Sequence, residues 1–365
     1  MQLFNKIIFK SGIKTNREMF SLIFIFVLAL GTVVSPFVAC TFAKEGKLKE
    51  KNVTIRILDS TTPSDWEIIK KAIGRDILKE EGVQLELISS ASSASGGTIS
   101  IQALLANNID YASSAWPAWI NAIAGGGKIK AVTTGSTTSK DYPGNGLVVL
   151  ENSSIHTVKD LVGKRIAVNV LGASADYEIR QYLKQNGISI DQVQLVVVPS
   201  PQIEQTLRTK QVDVAAWTMG GGVEYEMAMD RGGLRELPGT KRYDIRGNTI
   251  AMGNGFRKDF IKRHPETVQR FVRVVEKSKR ILWDEFQKDP EQVRKAYAEV
   301  TESKGGNPKL FQYYRPSAFS PDYPFASDKD IQWWIDILES EGKLKGKQIK
   351  PSSIYTNEFN PYYKK

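Results

Sequence analysis

The side chains best suited to catalysis are scarce in this sequence. It holds only two histidines and a single cysteine. His156 lies in a Ser-Ile-His-Thr stretch and His264 stands directly before Pro265 at a helix start, positions that read as ordinary surface sites rather than bases or ligands. Cys40 ends an apolar N-terminal run, and one cysteine makes neither an intramolecular disulfide nor a cysteine-based metal cage. No His-x-x-x-His, Gly-x-Ser-x-Gly, phosphate-loop or dinucleotide glycine pattern occurs. Acidic residues are plentiful, yet no spacing singles out a pair for acid–base work. The reading is therefore a chain that is not an enzyme and that calls for no cofactor and no metal.

Small polar loops directly after β-rich runs are what the chain offers instead. Ser60, Thr61 and Thr62 follow one such run, Ser90 and Ser92 a second, and Ser114 with Trp116 a third. In the second half, Gly172 and Ser174 lead into a helix, while Trp217 and Thr218 follow a strand. Asn248, in the glycine-flanked segment 242–255, completes the candidate set. Open parallel sheets bind ligands at the carboxyl ends of their strands. Free N–H groups at helix starts and neighbouring hydroxyls suit an anionic head group, and tryptophans suit the organic remainder. Any one serine- or glycine-rich loop is also what an ordinary surface connection looks like.

The elements that must carry these loops alternate between β-rich and amphipathic runs. Strands are expected at 53–58, 83–88, 109–112 and 129–134, with helices over 65–81, around 102–107 and over 116–124. A second unit repeats the grammar, with strands at 165–168, 194–198 and 212–217 and helices at 175–186, 203–209 and 223–230. Such βα alternation implies largely parallel sheets covered by helices. The halves also align on each other. Leu104 stands six residues before Asp110, and Leu207 six before Asp213, inside Ile-Asp-Tyr-Ala and Val-Asp-Val-Ala. Segments 135–146 and 242–255 are rich in turn formers and read as two crossovers between the units.

The chain has 365 residues, enough for two domains, and a globular composition with 41% hydrophobic and 25% charged residues. Its net charge of +10 is scattered rather than gathered into a basic run with aromatics, which argues against nucleic-acid binding. Lys6, Lys10, Lys14 and Arg17 precede an apolar run from Ser21 to Ala39, the order of charges and apolar residues in a secretory signal. Three fates are open: lipidation at Cys40 after a small-residue motif in which Phe37 replaces the usual Leu, conventional cleavage after Ala43, or an uncleaved anchor. Each puts the body of the protein outside the cytoplasm, periplasmic or at the cell surface.

Taken together, these residues resemble the substrate-binding proteins of nitrate, sulfonate and taurine ABC importers, a group sharing its fold with thiamine-precursor binding proteins. The local matches are Gln102–Tyr111, Asp160–Val168 with Gly172 and Ser174 beyond, Val212–Trp217, His264–Val268 and Ile349–Asn357. The resemblance implies an α/β, bilobal periplasmic-binding fold of type II with two hinge crossovers. It implies a signal over 1–39, a tether over 40–52, a discontinuous first lobe of 53–137 plus 252–365, and a second lobe of 138–251. It further implies a monomer whose partners are a small-molecule ligand and an ABC permease, with the loops around Thr61, Ser90, Ser114, Gly172 and Trp217 forming the site. Many relatives carry an aromatic-Asp-Pro turn where this chain has Thr218-Met219-Gly220, so the ligand class stays open. Two other functions use the same fold: a binding protein that signals to a membrane receptor, and a thiamine-pyrimidine synthase. The synthase depends on a cysteine-rich motif that a chain with one cysteine lacks.

Overall fold

The computed structural model describes residues 53–89, 97–217 and 222–364. The expected signal, tether and Cys40 lie outside these residues, as do Ser90, Ser92 and Thr218. Among the described residues no helix is long and apolar enough to cross a membrane, and no cluster of three or more His, Cys, Asp or Glu is placed to hold a metal.

Among the described residues, ten strands form two five-stranded sheets: β1 Thr54–Leu58, β2 Gln84–Ile88, β3 Tyr111–Ala115, β4 Ile129–Thr138, β5 Val148–Leu150, β6 Arg165–Val168, β7 Gln194–Val197, β8 Val214–Ala215, β9 Leu234–Glu236 and β10 Thr249–Arg257. The first sheet runs β2-β1-β3-β10-β4 and the second β7-β6-β8-β5-β9. These are the same order twice, with the strand that enters from the other half inserted fourth. The chain passes from the first sheet to the second between β4 and β5 and returns between β9 and β10. This is the bilobal, two-crossover α/β architecture, and both sheets belong to one compact unit.

The sheets are mixed rather than largely parallel. β1 pairs parallel with β2 and β3, but β10 is antiparallel to β3 and β4, and β5 is antiparallel to β8 and β9. A strand that arrives from the opposite lobe has no βαβ crossover to set it parallel. The turn-rich segment 135–146 begins as strand, since β4 continues to Thr138, and the return segment holds a short helix, Arg242–Arg246, before β10. The strands of the first sheet thus overrun the expected lobe limits at 137 and 252.

Each lobe buries both faces of its sheet. In the first, Trp116, Trp119, Ile331, Trp334 and Leu338 fill one side, and Ile55, Ile68, Phe256, Phe271 and Val272 the other. In the second, Leu161, Ile166, Ile179 and Leu183 oppose Val148, Ile203, Leu207 and Trp217. Burial of such side chains stabilises by about 1.5–3 kcal/mol each. The repeated Asp110 and Asp213 do the same work in both lobes. Asp110 accepts from the Arg56 backbone N–H (3.0 Å) and from its guanidinium Nε (2.9 Å) and Nη2 (2.8 Å). Asp213 accepts from the same three groups of Arg165 at 2.9, 3.1 and 3.0 Å.

Candidate functional site

A cavity of about 370 Å3 draws its walls from both lobes. The first lobe supplies Ser114 and Ala115 from the end of β3, Pro117 and Ala118 from the helix Trp116–Ala124, Ser136 from β4, Met252 from β10, and Ser317. The second supplies Asn169, Val170, Gly172, Ala173 and Ser174 from the loop after β6, together with Arg242. Two helices begin in its wall, Gly97–Leu105 and Ser174–Gln185. The second is preceded by Ala173, which makes no side-chain cap to its first N–H groups.

Local sequence explains how these starts are held. Gly172 sits at φ +76°, and its N–H donates to Asp176 at 2.7 Å, so the loop turns back onto its own helix. Asp176 is buried and also takes Arg180 Nε at 2.6 Å. A side chain at Gly97 would meet the Ser114 hydroxyl at 2.2 Å, so only glycine lets that helix start lie against β3. Ser136 adopts φ +48°, a left-handed conformation that costs a non-glycine residue about 1–3 kcal/mol and that collects at binding sites.

Arg242 supplies the charge. It is 2% exposed, and its Nε and Nη2 donate to Glu178 at 2.8 and 3.3 Å. Glu178, fully buried, is shared with Arg246, whose Nη1 lies 3.4 Å away. Arg246 in turn stacks 3.8 Å from the Trp333 ring centroid and 4.7 Å from that of Trp334. Burial pulls its guanidinium down to about 10, which leaves it cationic at neutral pH. Asp330 is held nearby by Thr249 Oγ1, the Ile250 N–H and Tyr323, and Thr249 Oγ1 also accepts from Arg246. Among the described residues, eight buried side-chain atoms have no partner, and they are spread over both lobes; Nη1 of Arg242, Oδ1 of Asn169 and Nε1 of Trp217 are three of them.

A second cavity of about 450 Å3 lies within the first lobe and shares Gly97 with the first. Ser60, Asp65, Ser113, Thr134, Asn254 and Lys279 line it. Ser113 donates to Asn254 at 2.6 Å, and Lys279 is paired with Glu276 at 2.8 Å. Burial raises the Asp65 carboxyl to about 6, against the opposing charge of Lys279. A groove of about 540 Å3 along β1 and β2 takes in Ser60 and Thr62 but nothing from the second lobe.

The residues expected from the sequence are therefore dispersed. Ser114, Gly172 and Ser174 meet in the interlobe cavity, whereas Ser60 and Thr62 line spaces inside the first lobe. Thr61 and Asn248 are exposed and line none of these three spaces. The tryptophans depart from the role expected of them. Trp116 is wholly buried and donates its indole N–H to the Ile250 carbonyl at 2.8 Å, so it ties its helix to β10. Trp217 is 2% exposed and packs edge-on against Tyr225 in the core of the second lobe. Neither lines any of the three spaces, and each ring packs in the core of its own lobe. Arg242, Asn169 and Ser136 were not anticipated. The signal for Arg242 was the Arg-Tyr-Asp-Ile-Arg spacing, which puts two guanidiniums on one side of a helical turn in the return crossover.

With that geometry in view, comparison with known proteins is informative. Residues 72–293 match the family described as NMT1/THI5 like. The chain belongs to that family. A Brucella abortus (strain 2308) protein provisionally named a binding protein is 27% identical over 271 residues, covering 72% of this chain and 79% of that one. The taurine-binding periplasmic protein of Escherichia coli (strain K12) is 25% identical over 222 residues, 59% of this chain and 68% of its own. Among solved structures, the periplasmic aliphatic sulphonate binding protein of Escherichia coli aligns with a TM-score of 0.64 at 19% identity, over 85% of this chain and 99% of that one. The periplasmic nitrate-binding protein of Synechocystis PCC 6803 aligns at 0.62 and 12% identity, over 85% and 87%. At such identities the structural likeness is one of fold, and the fold of this NMT1/THI5-like chain is that of periplasmic binding proteins.

Proposed function

We propose that this protein is the extracytoplasmic solute-binding subunit of an ABC importer, and that it captures a small anionic organic solute between its lobes and presents it to a membrane permease. The observation that carries this reading is the interlobe cavity, to which both lobes bring hydroxyls or backbone N–H groups and the second brings a guanidinium. Its volume, about 370 Å3, falls at the small end of ligand sites and suits a solute of a few heavy atoms. The names of the relatives favour the same class. Ser114, Gly172 and Ser174 are the expected residues that fit this role, joined by Arg242 and Asn169. The lobes hinge on the two crossovers, and a permease that prefers the closed form selects loaded over empty protein. The relatives named as periplasmic support an exported protein, held at the membrane through Cys40 if the N-terminal signal is a lipoprotein signal.

Thermal unfolding of the mature chain in the presence of taurine, alkanesulfonates, nitrate and a thiamine-type aminopyrimidine tests the reading. A solute at one hundred times its Kd adds about 2.7 kcal/mol to stability and raises Tm by several degrees. Absence of any shift across the panel at millimolar solute contradicts it.

A further inference from the structure

The net charge of +10 is scattered along the sequence, yet part of it is gathered in space. Strand register shows where. Ile57 of β1 and Phe256 of β10 both pair with Tyr111 of β3, and Ile129 of β4 pairs with Arg257 of β10. Thr54, Lys128 and Lys258 therefore lie along one edge of the first sheet, while the interlobe cavity is lined from the other end, where β3 finishes in Ser114 and Ala115. The Lys258 N–H donates to the Lys128 carbonyl at 2.8 Å, which sets the two lysines side by side. Lys130 bonds the Ser352 carbonyl and Lys347 the Ala124 carbonyl, bringing in the C-terminal segment with Lys350. All of these lysines but Lys130 are exposed, as is Lys262. Burial pulls the Lys130 ammonium below its ordinary range, and the charge of Lys258 adds to the shift.

Acids do not balance this corner. Glu358 lies near Lys130, and Asp259 is taken by Arg263 at 2.8 Å and Arg257 at 3.3 Å. Lys128, Lys258, Lys262 and Lys350 have no ion pair among the described residues. At the β2 corner of the same edge the cations are neutralised, because Glu80 and Glu81 take Arg75, Arg273 and Lys277. The basic corner also carries an exposed leucine: a side chain at Gly127 would meet Cδ2 of Leu105 at 2.9 Å.

We propose that this corner is a docking surface for an anionic lipid headgroup layer, which Leu105 enters. The course of the N-terminal chain favours a membrane over another polyanion, and here the proposal rests on the reading of that chain as an export signal. Fourteen residues lead from the end of the apolar run at Ala39 to Val53, a span of at most about 50 Å. Lys44, Lys47, Lys49 and Lys51 are among them, against Glu45 and Glu50. The chain enters β1 at the edge that carries the lysines, roughly 14 Å from β4 across three strand spacings. Anchoring through that segment keeps this edge within reach of the headgroups, where each lysine adds to the attraction over about a Debye length.

Residues 49–365 form one compact unit, so vesicle co-sedimentation of that unit separates the surface from the apolar run. Phosphatidylcholine vesicles with and without phosphatidylglycerol are compared at low and high salt. Low-salt binding is expected to be at least about tenfold tighter to the anionic vesicles and to vanish at high salt. The triple variant Lys128→Glu, Lys258→Glu, Lys350→Glu is expected to bind about 30-fold more weakly or worse. A control with the same charge change, Lys159→Glu, Lys184→Glu, Lys210→Glu, alters exposed lysines of the second lobe and should stay within about threefold of wild type. Leu105→Ser should weaken binding by about threefold or more. Circular dichroism melts verify that each variant is folded. Equal losses in the two triple variants reduce the effect to net charge and overturn the proposal, as does equal binding to neutral vesicles. Tighter binding of duplex DNA or polyglutamate than of the anionic vesicles overturns it as well and gives the face to another partner. Each of these results leaves solute capture standing, since the thermal-unfolding panel tests that separately.

Discussion

The two lobes repeat one strand order and one Arg–Asp clamp, yet they embed the clamp differently. In the first lobe the Asp110 side chain is 6% exposed and is met by a second guanidinium, Arg257 of the returning strand β10, whose Nη2 lies 3.3 Å away. Arg257 also donates to the Ile109 carbonyl at 2.7 Å. In the second lobe the Asp213 side chain is 30% exposed and, among the described residues, is hydrogen-bonded by Arg165, which reaches on to the Lys210 carbonyl at 2.9 Å. Electrostatics follow the embedding. Burial pushes the Asp110 carboxyl up, and Arg56 and Arg257 together bring it below its usual range, whereas for Asp213 the hydrogen bonds of Arg165 dominate outright. The first clamp therefore fastens a discontinuous chain, tying the segment that comes home to the strands that never left. The second fastens only local structure.

That contrast is broken most directly by removing the two acids. Asp110→Ala strands two guanidiniums and should cost about 3 kcal/mol, while Asp213→Ala, at a half-exposed pair, should cost about 1 kcal/mol. Urea unfolding at pH 7 measures both, and equal losses would erase the distinction.

How much of this was legible in the sequence follows the same division. The Leu–Asp spacing at 104 and 110 and at 207 and 213 marked the repeat because a helix, its turn and the next strand are contiguous. The arginines it pairs with were not legible, since Arg56 and Arg165 lie 54 and 48 residues upstream. Nor were β5 and β10 legible as antiparallel insertions, because a strand crossing from another lobe carries no local sign of its direction. The place of Trp116 after a strand points to a solute contact. Its spacing with Trp119 and Ile120, one helical face, was the better guide to its burial.

The core role of Trp116 sharpens the comparison from the side of packing. Trp116→Phe leaves the Ile250 carbonyl without its indole donor and opens a void, and should lower stability by about 2 kcal/mol. Its solute affinity should stay within about twofold of wild type, measured by calorimetry; a loss of tenfold would restore the tryptophan to the site.

A smaller effect separates the lobes by pH. The Asp65 carboxyl of the first lobe is raised to about 6 in the folded chain, against about 4 when unfolded. Between those values the folded state holds the extra proton, so stability falls as pH rises from 4 to 6 and then levels. Asp65→Asn removes this slope and should gain about 1–2 kcal/mol at pH 7, read from urea midpoints across pH 4–8. The smallest effect is expected at the contact between lobes made by Arg180 and Glu341, 3.4 Å apart and partly exposed. Glu341→Ala should change stability by less than about 0.5 kcal/mol in the same assay.

Capture between the lobes, rather than within either, is the claim on which the functional account stands. Ala118 and Val170 line the cavity from opposite lobes, and neither is part of a polar contact there. Native mass spectrometry of the wild type, Ala118→Trp and Val170→Trp, each with an equimolar mixture of taurine, β-alanine, 1-propanesulfonate, nitrate and a thiamine-type aminopyrimidine, tests it in one experiment. The account predicts one bound solute on the wild type and none on either folded variant. A solute retained by both variants would place the binding site elsewhere and contradict it.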